Sequence, residues 1–239
     1  RGPRPGPVQL DTGRAQAAPY HLWAPGTAFV IAKMQPVHAG HVAMIKEAMR
    51  LNAGGETVIV LSDKTHDLTA ADWKGLKVAD TKKELVARDY TYVFSQALRR
   101  RILEASLPAG TKIYFVPTNE WTVYLSRAQQ AGEAGKVKRV VGQKEMDEKR
   151  FDYEFEKYGS VVEPLVVPMQ EGGISGTDVR NALKASVLGT AAEKKAAKLV
   201  LEAALASIPT AKDRAAIMKQ MIAEWKAVDE KVQALVGKK

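Results

Sequence analysis

The chain has no cysteine among its 239 residues, which excludes a disulfide framework, a thiolate metal site and a cysteine nucleophile. That composition suits a reducing compartment, so a cytoplasmic location is expected. No run of about 18 or more apolar residues is present, so no membrane-spanning helix is expected, and the Pro/Gly-rich start lacks the apolar centre of a secretory signal. A Walker-type Gly-x-x-x-x-Gly-Lys-Ser/Thr is missing, and no dinucleotide fingerprint follows a strand, which sets aside phosphate-loop kinases and dehydrogenases. Histidine is scarce as well. Of the four in the chain, two fall within His38-Ala39-Gly40-His41.

Acidic residues are outnumbered, with 36 Lys and Arg against 27 Asp and Glu and a net charge of +9. That balance favours anionic partners, and by itself leaves nucleotides, nucleic acid and a solvated basic surface open. The densest basic clusters, Arg99-Arg100-Arg101 and Lys136-Val137-Lys138-Arg139, are short and not interleaved with aromatics as a single-strand groove would be.

The first segment, residues 1–26, begins Arg1-Gly2-Pro3-Arg4-Pro5-Gly6-Pro7 and carries Pro19 and Pro25. Proline removes backbone donors and fixes φ, so this segment reads as an extended arm or linker. The missing initial methionine suggests a processed product or a piece of something longer. Residues 27–187 form the main domain. In it, short β-branched runs alternate with helical periodicity, the pattern of a Rossmann-like α/β fold with a doubly wound parallel sheet of about five strands. The expected strands are Ala28 to Lys33, Thr57 to Ser62, Thr111 to Val116, Lys138 to Gly142 and Val161 to Val167. Val42, Ile45 and Met49, then Phe94, Leu98 and Ile102, then Phe151, Phe155 and Tyr158, mark helix faces between them.

Residues 188–239 are rich in Ala, Lys and Glu and lack strand signals. Pro209 splits them into a helical hairpin, with Thr210 and Asp213 as a cap-like start to the second helix. Met218, Met221, Trp225, Val228, Val232 and Leu235 recur at spacings of three and four, a stripe suited to packing on the parent domain. The arm and this hairpin are also the surfaces through which a homo-oligomer or larger assembly would form.

Gln35-Pro36-Val37-His38-Ala39-Gly40-His41 lies between the first strand and the first helix. An anionic phosphate there is stabilised by orphan N–H groups and the positive end of the helix dipole. The imidazoles add directed donors, and Gly40 admits phosphate oxygens close to the backbone. Helix capping and a polar core edge are the plain alternatives. Zinc is the weaker one, since only His66 or a distant carboxylate could complete its ligand set. A second motif, Gly172-Gly173-Ile174-Ser175-Gly176-Thr177-Asp178-Val179-Arg180, follows the last strand and opens another helix. Ser175 and Asp178 form a capping box, and Arg180 can fork two phosphate oxygens. Alone it is an ordinary capped helix; with the histidine motif it is the other half of a triphosphate clamp.

The two motifs together resemble those of the nucleotidyltransferase superfamily, with its early His-x-Gly-His and late Ile-Ser-Ser/Gly-Thr-x-x-Arg, over roughly Phe29 to Leu183. Within it, Gln35-Pro36-Val37-His38 and Gly40-His41 look most like nicotinamide mononucleotide adenylyltransferases of the archaeal and bifunctional bacterial type. Three residues depart from that pattern: Ala32, Lys33 and Met34 stand where the family has glycine, arginine and phenylalanine. Lys33 keeps the charge but not the bidentate geometry.

The resemblance implies transfer of AMP from ATP to a phosphate-bearing acceptor such as nicotinamide mononucleotide, with pyrophosphate released. It casts His38, His41, Lys33 and Arg180 as catalytic, and Gln35, Gly40, Gly142, Ser175, Gly176 and Thr177 as nucleotide-binding. Mg2+ would be carried by substrate and water rather than by protein ligands. Trp121 and Tyr124, in Asn119-Glu120-Trp121-Thr122-Val123-Tyr124, resemble the family's Trp-x-x-Tyr region, where a ring stacks on the pyridine; a core or interface role is the alternative. Two other readings remain: a cytidylyl- or adenylyltransferase with another phosphorylated acceptor, and an assembly module that keeps the fold.

Overall fold

The computed structural model describes residues 22–132, 135–168 and 173–237. The arm expected over residues 1–26 lies mostly outside them. In chain order the elements are β1 (Ala28–Ala32), α1 (Ala39–Leu51), β2 (Thr57–Ser62), α2 (Ala70–Gly75), α3 (Ala79–Thr91), α4 (Gln96–Ser106), β3 (Lys112–Val116) and α5 (Glu120–Gln130). They continue with β4 (Val137–Gly142), α6 (Gln143–Asp147), α7 (Asp152–Lys157), β5 (Val162–Val167), α8 (Gly176–Leu188), α9 (Ala191–Ala204) and α10 (Ala211–Val236). All five expected strands form, with ends shifted by one residue at most. Aromatic spacing over Phe151 to Tyr158 yields only the short α7, with Phe151 and Tyr158 as its flanking caps.

The chain divides into two compact units, and neither is a continuous stretch. One holds the described residues of Arg1–Lys33, Ala43–Asp63 and Pro108–Glu171. Its five parallel strands run in the order β3-β2-β1-β4-β5, so the sheet is doubly wound and its order reverses between β1 and β4. Register follows the alternation of side chains. Phe29, Val58, Val60 and Val116 turn to one face, where they join Trp121, Tyr124, Leu125 and Ala128 of α5 in a single cluster with Tyr158, Val161 and Val162. Each fully buried Val, Leu or Phe stabilises the fold by about 1.5–3 kcal/mol, which is why these short runs are strands although few polar residues interrupt them.

The other unit comprises Met34–Val42, Lys64–Leu107 and the described residues of Gly172–Lys239. It is helical. Of the expected α10 stripe, Met221, Trp225, Val228 and Val232 are buried while Met218 and Leu235 are half-buried, Ile217 joins the buried face, and α10 packs on α3, α4 and α8 of its own chain. Polar ties hold the same helix in register. Glu224 accepts the Ser95 N–H at 2.7 Å, Asp229 accepts the Tyr90 hydroxyl at 2.6 Å, and Lys231 pairs with the fully buried Asp89 at 2.7 Å. Thr210 caps α10 by accepting the Asp213 N–H at 3.2 Å, worth about 1 kcal/mol.

No helix among the described residues is long and apolar enough to cross a membrane.

Candidate functional site

Four residues of the histidine motif, Gln35 to His38, are buried together with Met34 before them and form a hook entering α1, while Ala39, Gly40 and His41 are half-buried. Met34, at φ 50, is in the left-handed region that a bulky side chain seldom occupies. Burial of its side chain, with 2% exposed, holds it there. The Gln35–Pro36 peptide is cis.

Gln35 anchors the hook. Its side-chain amide donates to the carbonyl oxygens of Phe94 at 3.0 Å and Lys64 at 3.3 Å, and its Oε1 accepts the Phe94 N–H at 2.8 Å. Both Nε2 hydrogens of Gln35 are thereby used within the protein, and the side chain ties the loop to the chain around Lys64 and Phe94.

The two imidazoles stack, with ring centroids 3.8 Å apart and planes 26° from parallel. Each uses its Nδ1 as an acceptor: His38 Nδ1 takes the Gly40 N–H at 3.1 Å, and His41 Nδ1 takes the His38 N–H at 3.3 Å. An imidazole that accepts at Nδ1 carries its proton on Nε2. Burial lowers the His38 pKa to about 4 against the smaller opposing pull of Asp178, and lowers that of His41 to about 3, helped by His38. Near neutral pH both rings are thus uncharged Nε2–H donors. Both rings thus cap backbone N–H groups at the entry to α1, and each keeps an Nε2–H besides. Two of the N–H groups expected to meet a phosphate directly, those of His38 and Gly40, are already taken by the rings.

The second motif forms as its residues dictate. Ser175 Oγ accepts the Asp178 N–H at 3.1 Å, and Asp178 Oδ2 accepts the Ser175 N–H at 3.0 Å. The N–H groups of Gly176 and Thr177, in the first turn of α8, have no intrahelical acceptor. One turn on, Arg180 donates from Nη1 to the Gln35 carbonyl at 2.8 Å and from Nη2 to Thr177 Oγ1 at 3.2 Å. Neither partner is charged, no carboxylate pairs with it among the described residues, and burial alone pulls its pKa down. A half-buried guanidinium with neutral partners is an incomplete ion pair.

The two motifs touch at a second point. A methyl group added at Gly40 would come within 3.0 Å of His38 Cε1, 3.1 Å of His38 Nδ1 and 3.5 Å of the Ile174 carbonyl oxygen. At Gly176 it would come within 3.2 Å of Arg180 Nη1. At both positions a Cβ would be tight, and the His38 ring or the Arg180 guanidinium would have to give by a few tenths of an ångström.

His38, His41, Gly40, Gln35, Ser175, Gly176, Thr177 and Arg180 are therefore assembled in one unit. The remaining expected residues belong to the sheet unit. Lys33 is exposed just past β1. Gly142 ends β4 and donates its N–H to Glu145 Oε2 at 3.2 Å, capping α6. Trp121 and Tyr124 are 4% and 1% exposed, stack on each other and pack against Phe29; Trp121 Nε1 donates to Glu154 Oε1 at 3.0 Å. Of the two readings open for that pair, the packing one describes where it lies.

No protein-family model matches the chain, and no curated protein matches it. Among matching solved structures is the crystal structure of a bifunctional NMN adenylyltransferase/ADP ribose pyrophosphatase from Francisella tularensis, complexed with AMP and a Mn ion. This chain is 13% identical to it with a TM-score of 0.42, over 87% of this chain and 54% of that one. The chain thus spans about half the length of that protein. A likeness at this distance assigns neither an activity nor a site.

No group of three or more His, Asp or Glu side chains among the described residues could hold a metal ion.

Sequence spacing picked out the two stretches that meet here but not the groups that hold them, since the carbonyls of Lys64, Phe94 and Ile174 carry no side-chain signature.

Proposed function

We propose that the chain is a nucleotidyltransferase that moves AMP from ATP to a phosphate-bearing acceptor such as nicotinamide mononucleotide. The observation that carries this reading is the Arg180 contact with Gln35: it joins an unneutralised guanidinium to the loop presenting two uncharged Nε2–H donors.

A triphosphate fits that chemistry. Its charge completes the Arg180 ion pair, its oxygens accept from His38 and His41 Nε2, and the first turn of α8 offers the N–H groups of Gly176 and Thr177. Because the imidazoles are neutral, they donate without adding positive charge, and Arg180 supplies the countercharge. An acceptor phosphate oxygen attacks the α-phosphorus in line, the bond from that phosphorus to the bridging oxygen breaks, and its electron pair leaves on pyrophosphate. No protein nucleophile is needed. Positioning of the two reactants can supply about 7–11 kcal/mol in favourable cases, and the donors stabilise charge on the five-coordinate phosphorus.

Mixing the protein with ATP, Mg2+ and nicotinamide mononucleotide should release pyrophosphate and form a dinucleotide. Calorimetry without acceptor should register ATP binding. Folded protein that neither binds ATP nor releases pyrophosphate would remove this reading.

A further inference from the structure

Two short stretches of main chain receive the Gln35 side chain, one at the Lys64 carbonyl and the other at the N–H and carbonyl of Phe94. Neither residue lies in a strand or a helix. A stretch outside any ladder of main-chain bonds opens easily unless side chains from elsewhere hold it.

Both stretches are held from α10, within the unit that contains the histidine hook. Lys231 Nζ lies 2.7 Å from Asp89 Oδ2 and 2.9 Å from His66 Nδ1, two residues past Lys64. An ammonium has donors only, so His66 accepts with Nδ1. Burial, with the Lys231 charge next in effect, lowers the His66 pKa against the pull of Asp89, Glu224 and Asp67, which keeps the ring a neutral acceptor near neutral pH. Asp89, fully buried, also accepts the N–H groups of Asp67 and Leu68 at 3.2 Å each, so the same segment is pinned twice.

The second hold is on the same face of α10. Glu224, seven residues before Lys231 and so close to two turns away, accepts the Ser95 N–H at 2.7 Å and the Ser95 hydroxyl at 3.1 Å. Ser95 follows Phe94 directly. One helix thus grips both sides of the seat into which Gln35 fits, and the Gln35 carbonyl in turn receives Arg180 at 2.8 Å.

We infer that Glu224 and Lys231 are positioning residues: from the C-terminal helix they fix the seat of Gln35 and thereby aim the Nε2–H groups of His38 and His41. The inference rests on the nucleotidyltransferase reading for what the two rings do, and adds what aims them. Val228, between the two holds, is buried in the apolar stripe and has no polar side-chain atom with which to grip either stretch.

Nitrogen–proton correlation spectra of the imidazoles read the tautomer of each ring without requiring turnover, and His38→Gln and His41→Gln assign the signals. Lys231→Met and Glu224→Leu each remove one hold, Lys231→Arg and Glu224→Gln keep a donor and an acceptor, and Val228→Ala loosens α10 through a cavity instead. At a temperature where all are folded, Lys231→Met and Glu224→Leu should replace the fixed Nε2–H pattern of His38 and His41 by averaged tautomers. In the same two variants kcat for pyrophosphate release should fall by about tenfold or more, while ATP affinity by calorimetry stays within about threefold, because Arg180 and the first turn of α8 are retained. The conservative variants should restore both readouts, and Val228→Ala should leave both as in the native chain. Lys231→Met leaves the buried Asp89 uncompensated; if it does not fold, the Glu224 pair decides alone. Native His38 and His41 signals in a folded Lys231→Met or Glu224→Leu variant would overturn the inference, as would altered signals with unchanged kcat, or equal loss of the signals in Val228→Ala. An unsubstituted protein that neither binds ATP nor releases pyrophosphate would instead bring down the transferase reading, and the spectra would still decide what aims the rings.

Discussion

Arg180 donates its Nη1 hydrogen to the main-chain carbonyl of Gln35 at 2.8 Å, across 145 positions of sequence. That bond ties the N-terminal turn of α8 to the loop that presents His38 and His41, and among the described residues no carboxylate pairs with the guanidinium. Function and stability should therefore part company at this residue.

Replacing Arg180 by alanine should lower kcat/KM for ATP by about 100-fold or more, since a charge-assisted, forked contact to phosphate is lost. Arg180→Lys should recover only part, because an ammonium keeps the charge without the fork. The melting temperature of both variants should stay within a few degrees, as the loss of two hydrogen bonds is offset by relief of a poorly solvated charge. A large fall in stability with unchanged turnover would reassign Arg180 to a structural role.

His41→Ala should reduce kcat by about 100-fold or more, the scale on which removal of one donor to a developing charge is felt. His41→Gln, whose amide can still donate, should lie between alanine and histidine. Steady-state pyrophosphate release measures both.

Gly40→Ala separates the helix from the site. Alanine in the first turn of α1 favours the helix by up to about 1 kcal/mol over glycine, but the new methyl would lie 3.0 Å from His38 Cε1. The ring must give way. Thermal unfolding should show stability retained or slightly raised, while turnover falls by about tenfold or more.

The histidines also set a pH dependence of stability. Their folded pKa values, about 4 for His38 and about 3 for His41, lie below the ordinary histidine value of 6.5 because both rings are buried. As pH falls below 6.5 the unfolded chain takes up protons that the native rings refuse, so the stabilisation present above 6.5 declines towards pH 4 for His38 and pH 3 for His41. Each such histidine contributes up to about 1.4 kcal/mol per pH unit. Urea midpoints at pH 7.5 and 5.0 should fall in the native chain, and fall less in a His38→Gln, His41→Gln double variant. Equal declines would show that the rings titrate alike in the folded and the unfolded chain.

Much of the fold was legible because its signals are local. A strand buried on both faces is an unbroken β-branched run, as in Thr57–Ser62, and a capped helix start is a short-range pattern, as in Ser175 to Asp178. The clamp residues were legible for the same reason, since each motif is a contiguous stretch. For Trp121 and Tyr124 the i, i+3 spacing is the same whether the shared face meets a ligand or Phe29, so only the structure shows both rings packed on Phe29. The hold of α10 on the seat of Gln35 was hidden as well, being formed by residues more than a hundred positions apart.

By itself the sequence determined the order of strands and helices, the caps that start α8 and α10, and the presence of two phosphate-suited motifs, since backbone propensity and hydrogen bonding within a few residues decide these. Only the tertiary structure decided that Gln35 spends its amide on Phe94 and Lys64, that His38 and His41 keep their protons on Nε2, and that Arg180 reaches Gln35 rather than a carboxylate. Those outcomes depend on which donors and acceptors burial brings together, and no short stretch of chain carries that information.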